Sequence, residues 1–356
     1  MITVVILNVL AVFFAYLESK KILKHGLKIS FFLIFLFLSL RYDYGNDYFS
    51  YLSHFNEVNS YDYFDYFADS HYEIAWSLIC RLFYPFGFFA MVAFIASVNC
   101  YVFYSFFKQY VPSNYYWFAV LFYVFTPDLM LVQLSSMRQT LAIIIFIYSI
   151  NYIYRNNLLR YHFSICIASF FHTSALILFP IFYLKFFKKK YYKKLTMIIF
   201  IIFISMLLFG QFLKPYIFNF LSNSFDRYSE YADEGVLNTG LGLMFNIIMF
   251  VSVLYFYKFQ NGSNELLFKI ATIAFFTIPL GLVVLIGSRL GFYFLPVMAV
   301  VYSLIASNIR RFEFRVIFLS SIIFITMYQF YYFFQSDIWA PYYGTYKTIF
   351  SSPFIY

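Results

Sequence analysis

The chain has 356 residues, 63% of them hydrophobic and only 12% charged, with a net charge of +9. Soluble domains carry about 25% charged residues, so a soluble fold is excluded and the chain reads as an all-α polytopic membrane protein. Its basic residues cluster between apolar runs instead of spreading over a face, which makes them topology signals and excludes nucleic acid as a partner.

Residues 1–17 are apolar and are followed, not preceded, by lysines, so they read as a retained first helix with its N-terminus outside. Lys20, Lys21, Lys24 and Lys28 mark the next connection as cytoplasmic. A second helix over 29–40 then exits into an acidic, aromatic loop at 41–73, predicted to be extracytoplasmic. Residues 74–84 are apolar but too short to cross, and predict an interfacial or re-entrant helix. Residues 86–107 cross inward. Residues 115–132 cross outward and weaken at Pro127 and Asp128. Residues 133–139 form a polar turn, and 140–154 return to Arg155 and Arg160.

The stretch 161–187 has a parity problem. Both of its flanks are strongly basic: Arg155 and Arg160 before it, and Lys185, Lys188, Lys189 and Lys190 after it. Both therefore read as cytoplasmic, and the segment must cross an even number of times. Two short helices broken at His172 satisfy this, and irregular backbone at depth is tolerated where protein surrounds it.

Residues 195–213 cross outward to a second extracytoplasmic loop at 214–240, which holds Arg227. Residues 241–257 return, 270–286 exit, Gly287-Ser288-Arg289 forms an outer turn, 290–308 return and 316–334 exit. The sum is roughly a dozen transmembrane or re-entrant helices at about 20 residues per span. They form one integral membrane domain, 1–356, with both termini extracytoplasmic. Cys80, Cys100 and Cys166 sit in apolar segments and support neither disulfides nor a zinc site.

On this topology Arg41, Arg138, His172, Arg227 and Arg289 all lie toward the outer face, against the positive-inside bias. A bound polyanion explains such a set, because the planar guanidinium fork donates two parallel hydrogen bonds to phosphate and stays charged. Each residue also has an ordinary structural use. Arg41 can snorkel, Arg138 and Arg289 can cap helix ends, Arg227 can form a surface ion pair, and His172 can be a hydrogen-bonded core histidine. There is no Asp-x-Asp, His-x-x-x-His or Gly-rich nucleotide loop, so no metal or cofactor is expected.

These residues fall into short motifs in a fixed order. They are Arg41, Gly45, Asp47 and Tyr51; Glu73 with Trp76; Ser136-Met137-Arg138-Gln139; Phe171-His172-x-Ser174-Ala175; and Arg289 with Tyr293. In this the chain resembles the Wzy-type polymerases of bacterial O-antigen and capsule assembly, especially the EpsG-like group. The resemblance implies a metal-independent glycosyltransferase in the bacterial cytoplasmic membrane, with its site facing the periplasm or exterior. Donor and acceptor would both be glycans on undecaprenyl pyrophosphate, and membrane lipids and a chain-length regulator are its further partners. An acceptor hydroxyl would attack the donor's anomeric carbon while lipid pyrophosphate leaves. His172 is the expected general base, with Asp47 and Glu73 as rivals. Arg41, Arg138, Arg289 and Arg227, with Tyr51 and Tyr293, would bind substrate. The competing readings are a lipid-linked oligosaccharide flippase and a membrane acyltransferase acting on glycans.

Overall fold

The computed structural model describes residues 1–58, 72–224, 241–260, 263–283 and 285–351. In chain order the first elements are α1 (Ile2–Ser19), α2 (Gly26–Ser39), the two-residue strand β1 (Arg41–Tyr42) and α3 (Tyr48–Glu57). There follow α4 (Ile74–Phe83), α5 (Phe88–Tyr110), α6 (Tyr116–Phe125), α7 (Pro127–Ser135), α8 (Met137–Tyr154) and α9 (Leu158–Phe171). A 3₁₀ segment, Thr173–Phe186, leads to α10 (Lys189–Ser224), α11 (Leu241–Tyr257), α12 (Ser263–Val283), α13 (Leu285–Gly291) and α14 (Leu295–Asn308). The chain closes with α15 (Phe312–Gln335), α16 (Ala340–Tyr343) and β2 (Lys347–Thr348). It folds as two compact units, one made of Met1–Phe179 with Arg311–Tyr356 and the other of Pro180–Arg310.

Among the described residues three helices, α1, α5 and α15, are long and apolar enough to cross a membrane. A fourth span forms if the bent pair α6 and α7 counts as one; its 50° bend falls at Thr126, just before Pro127. Six shorter apolar helices accompany them.

In the first unit α1 and α2 pack through small residues. Ala11, Ala15 and Ser19 recur every four positions on the buried face of α1. Gly26 comes so close that a Cβ there would lie 2.0 Å from the Phe14 carbonyl oxygen. Glu18 caps the start of α2 by accepting from the Leu27 N–H at 2.8 Å, and Ser30 Oγ donates across to Ala11 O at 2.6 Å. Asn8 Nδ2 donates to Val124 O at 2.7 Å, tying α1 to α6. Close backbones and interhelical hydrogen bonds are what hold apolar helices together where the solvent itself is apolar.

The second unit is built around α12. Lys269, 3% exposed, pairs with Glu265 at 2.7 Å and donates to Phe187 O. Tyr192 of α10 stacks on Tyr257 of α11 and bonds Thr272 of α12. A buried lysine is tolerable only with such partners.

Several sequence expectations change. The polar turn over 133–139 shrinks to Ser136, since α7 runs to Ser135 and α8 starts at Met137. Gly287-Ser288-Arg289 lies within α13 and is not a turn; the reversal falls at residues 292–294. The second loop is helical from Lys214 to Ser224, and Arg227 lies outside the described residues. The first loop contains β1 and α3, while its stretch 59–71 lies outside the described residues.

The break at His172 is present. His172 is extended (φ −156°, ψ 113°) between α9 and the 3₁₀ segment. The chain also folds back there: Tyr161 Oη donates to Leu178 O at 2.7 Å, and the His162 ring lies 5.2 Å from that of Phe179. Residues 17 apart along one straight helix would be about 25 Å distant, so these contacts require a hairpin.

Candidate functional site

Three chain breaks meet in the first unit. The first is the entry to α4, where Glu73 is extended (φ −66°, ψ 144°) and its carbonyl accepts from the N–H groups of Trp76 and Ser77. The second is Ser136, which turns α7 into α8 and places Arg138 on the first turn of α8. The third is His172. A break frees its residue from the helix period, so the side chain is aimed by local geometry.

Glu73 joins the three. Arg138 Nη1 donates to its Oε2, and His172 Nδ1 lies 3.9 Å from its Oε1. Ser174 Oγ sits 3.3 Å from the same His172 nitrogen. The Glu73 side chain is 7% exposed, against 23% for Arg138 and 24% for His172. A carboxylate so buried is stable only when paired, and here its two oxygens face two different partners. The cluster is therefore closed at its acid and partly open at its two basic groups.

Aromatic rings wall the arginine. Its guanidinium carbon lies 4.8 Å from the Tyr72 ring centre and 5.9 Å from that of Tyr51, within cation–π range. Arg138 Nε also donates to Tyr51 Oη at 3.4 Å. Burial raises the Tyr51 phenol above its ordinary range, so the ring keeps its proton. Trp76, fully buried, backs Tyr51 at 4.8 Å.

His54 is the member that the sequence did not reveal. Its ring stacks on Tyr72 at 3.8 Å, and Nε2 lies 3.4 Å from Ser77 Oγ. Burial, with the charge of Arg138 second, lowers its pKa to about 4, so it is neutral at physiological pH. The signal for it was present. Tyr48, Tyr51, His54, Phe55 and Val58 are all buried at spacings of three and four, but a segment read as loop is not searched for a helical period.

Arg41 stands apart from the cluster. Expected at the boundary of hydrocarbon and water, it is instead 4% exposed, and its Nη2 donates to Leu134 O at 2.9 Å, at the end of α7. Burial lowers its pKa to about 10, which still leaves it charged at neutral pH. The loop after it docks on the same corner. Gly45 has φ +113°, and a Cβ there would meet Ser135 at 3.0 Å. Ser135 Oγ donates to Asn46 Oδ1 at 2.6 Å and accepts from the Asp47 N–H at 3.0 Å. Asp47 carries its carboxylate at this rim, bonded to Asn46 Nδ2 at 2.8 Å. Thus Arg41, Gly45 and Asp47 contact the end of α7, and Tyr51, Glu73 and His172 gather with Arg138 at the start of α8.

The C-terminal segment straps this loop. β2 pairs antiparallel with β1, the Tyr346 ring stacks on Phe37 at 4.5 Å, and Lys347 pairs with Asp43. Arg289 and Tyr293 belong to the second unit. Arg289 is exposed on α13, whereas Tyr293 is fully buried, two residues beyond the point where Gly291 closes on Thr277 Oγ1. Among the described residues no three His, Cys, Asp or Glu side chains gather as a metal site would need.

The family comparison that matches this chain is the EpsG family, over residues 27–345. The chain belongs to the EpsG family. That family is associated with exopolysaccharide biosynthesis. No curated protein and no solved structure matches the chain. The EpsG match begins inside α2 and ends between α16 and β2, so it takes in all three breaks of the cluster.

Proposed function

We propose that this EpsG-family protein is a polysaccharide polymerase. It joins repeat units carried on undecaprenyl pyrophosphate at the extracytoplasmic membrane face. The observation that carries this reading is the Glu73 carboxylate held between Arg138 and His172 at three chain breaks. The reaction needs a base for the acceptor hydroxyl and a cation for the departing pyrophosphate, and the cluster offers one of each.

In this reading His172 is the general base. Glu73 faces Nδ1, so the ring takes the hydroxyl proton at Nε2, and the carboxylate steadies the imidazolium that forms. Arg138 pairs with Glu73. Its remaining donors stabilise charge building on the lipid pyrophosphate as the acceptor's hydroxyl oxygen bonds to the donor's anomeric carbon and the bond from that carbon to the pyrophosphate oxygen breaks. The stack of Tyr72 on His54 fixes the guanidinium in place. Arg289 and Arg227 are further candidate phosphate ligands. Asp47, bonded to Asn46, ranks behind Glu73 as a rival base.

The roughly dozen crossings and the outward site are parts of the same proposal. Reporter fusions after Asn157 and after Lys190 should both read cytoplasmic; opposite sides would defeat the outward placement of His172. The activity itself is tested by mixing the purified protein with lipid-linked repeat units and no nucleotide sugar. A ladder of longer glycans is expected. Translocation of the lipid-linked unit without a ladder would instead mean a flippase.

A further inference from the structure

The last three residues of α7 are each held by a side chain from elsewhere in the first unit. Thr140 Oγ1 donates to the Gln133 carbonyl, and Arg41 Nη2 donates to the Leu134 carbonyl at 2.9 Å. The Ser135 hydroxyl donates to Asn46 Oδ1 at 2.6 Å and accepts from the Asp47 N–H at 3.0 Å. Two of these three holds come from the stretch Arg41–Asp47. Ser136 follows with a non-helical backbone (φ −84°, ψ 62°), and Arg138 lies two residues on, in the first turn of α8. A helix end takes its partners from outside the helix, so the contacts at Ser135 set the start of α8 and with it the aim of Arg138.

One tyrosine of the C-terminal segment holds this stretch in turn. Tyr343 is fully buried, and its hydroxyl donates at 3.4 Å to Asn46 Oδ1, the same atom that Ser135 reaches. Its ring is fixed edge-on to Phe333 at 5.0 Å, Trp339 at 6.2 Å and Tyr44 at 5.4 Å. Beside it the Tyr342 carbonyl accepts from the Gly45 N–H at 3.2 Å. Phenylalanine would serve the packing equally well. A buried phenol adds a polar tip that destabilises unless it is bonded, and this tip reaches a residue 297 positions earlier in the chain.

We propose that Tyr343 is a positioning residue for Arg138. Its hydroxyl holds Asn46 against Ser135, Ser135 fixes the end of α7, and the turn at Ser136 then brings the guanidinium to the Glu73 carboxylate. Without the hydroxyl this relay slackens, and Arg138 loses alignment but not charge. Misplacing a positioned group by about 1 Å is enough to slow a reaction many-fold. The relay itself is independent of the polymerase reading; its effect on rate rests on that reading.

The test uses the full-length protein in lipid nanodiscs and Tyr343→Phe, which keeps the ring and removes the hydroxyl. Amides over 45–57 and 136–141 should exchange hydrogen about 3–10-fold faster, as one lost hydrogen bond predicts, while those of α9 stay as in the wild type. Unchanged exchange over 136–141 overturns the proposal. Single-turnover extension of a lipid-linked repeat should fall about 3–30-fold, with the thermal midpoint lowered by no more than about 2 °C. In an Arg138→Lys background no fork remains to be aligned, and the same substitution should cost less than about twofold. Equal losses in the two backgrounds make Tyr343 a packing residue only and overturn the proposal. If the wild type makes no glycan ladder, the polymerase reading fails, and hydrogen exchange alone decides whether the relay reaches the start of α8.

Discussion

Two arginines hold the same corner and live in opposite surroundings. Arg41 is buried and donates to the backbone carbonyl of Leu134. Arg138 is partly open, with a carboxylate, two aromatic faces and a histidine within the same cluster. A cation at the last carbonyls of a helix completes that helix. A cation shared between a carboxylate and a partly open face is available to a ligand. The comparison teaches that residue type alone does not distinguish two such arginines; their partners do.

The largest expected effect lies in the cluster around Glu73. His172→Ala should reduce glycan extension by about 10²–10⁴-fold with normal folding. Glu73→Gln should come close to it, because it removes both the charge that supports the imidazolium and the partner of Arg138. If His172 is the base it must be neutral to act, so single-turnover extension should fall as pH drops through the imidazole range. A rate that falls as pH rises would make His172 a charged pyrophosphate ligand.

Lysine substitutions at the two arginines then sharpen the contrast. Arg138→Lys keeps the charge and loses the fork. It should cut extension by about 10–10²-fold while leaving the melting midpoint nearly unchanged. Arg41→Lys should do the reverse, costing about 1–3 kcal/mol of stability for a buried carbonyl left short of its donor, with activity per folded molecule within a few-fold of wild type. Swapped phenotypes would break the comparison.

A smaller effect concerns His54. Its pKa falls from 6.5 when unfolded to about 4 when folded, so the folded state binds fewer protons. Stability is then fully present above about pH 6.5 and declines as pH falls toward 4. The charge of Arg138 works in this direction and that of Glu57 against it. His54→Phe retains a ring for Tyr72 and should flatten this slope in melts between pH 4 and 7. Identical slopes would remove His54 as its source. The smallest effect belongs to the strap: Lys347 and Asp43 are both substantially exposed, and Lys347→Ala should leave melting and activity almost unchanged.

Much of this was legible in the sequence, for identifiable reasons. The charge-parity conflict over 161–187 forecast a break at His172 because basic flanks constrain topology independently of any contact. Glu73, Arg138 and His172 stood out as polar residues beside long apolar runs. What the sequence hid depends on partners distant in the chain. Nothing near Arg41 announces that Leu134 will accept its hydrogen bond 93 residues later. Nothing near Asn46 announces Ser135, nor does Asp43 announce Lys347. His54 was hidden for a different reason, because an aromatic loop and an aromatic amphipathic helix have the same composition and differ only in period.

The length of α10 has its own consequence. Its 36 residues make a rod of about 54 Å, far beyond a hydrocarbon slab of about 30 Å. Its apolar stretch 195–213 has about the length of that slab, and if this stretch crosses, hydrophobic matching sets the height of the helix in the bilayer. In that case the turns from Lys214 to Ser224 extend about 16 Å further along the helix axis. Thickening or thinning the bilayer would then move Ser224 relative to the headgroups.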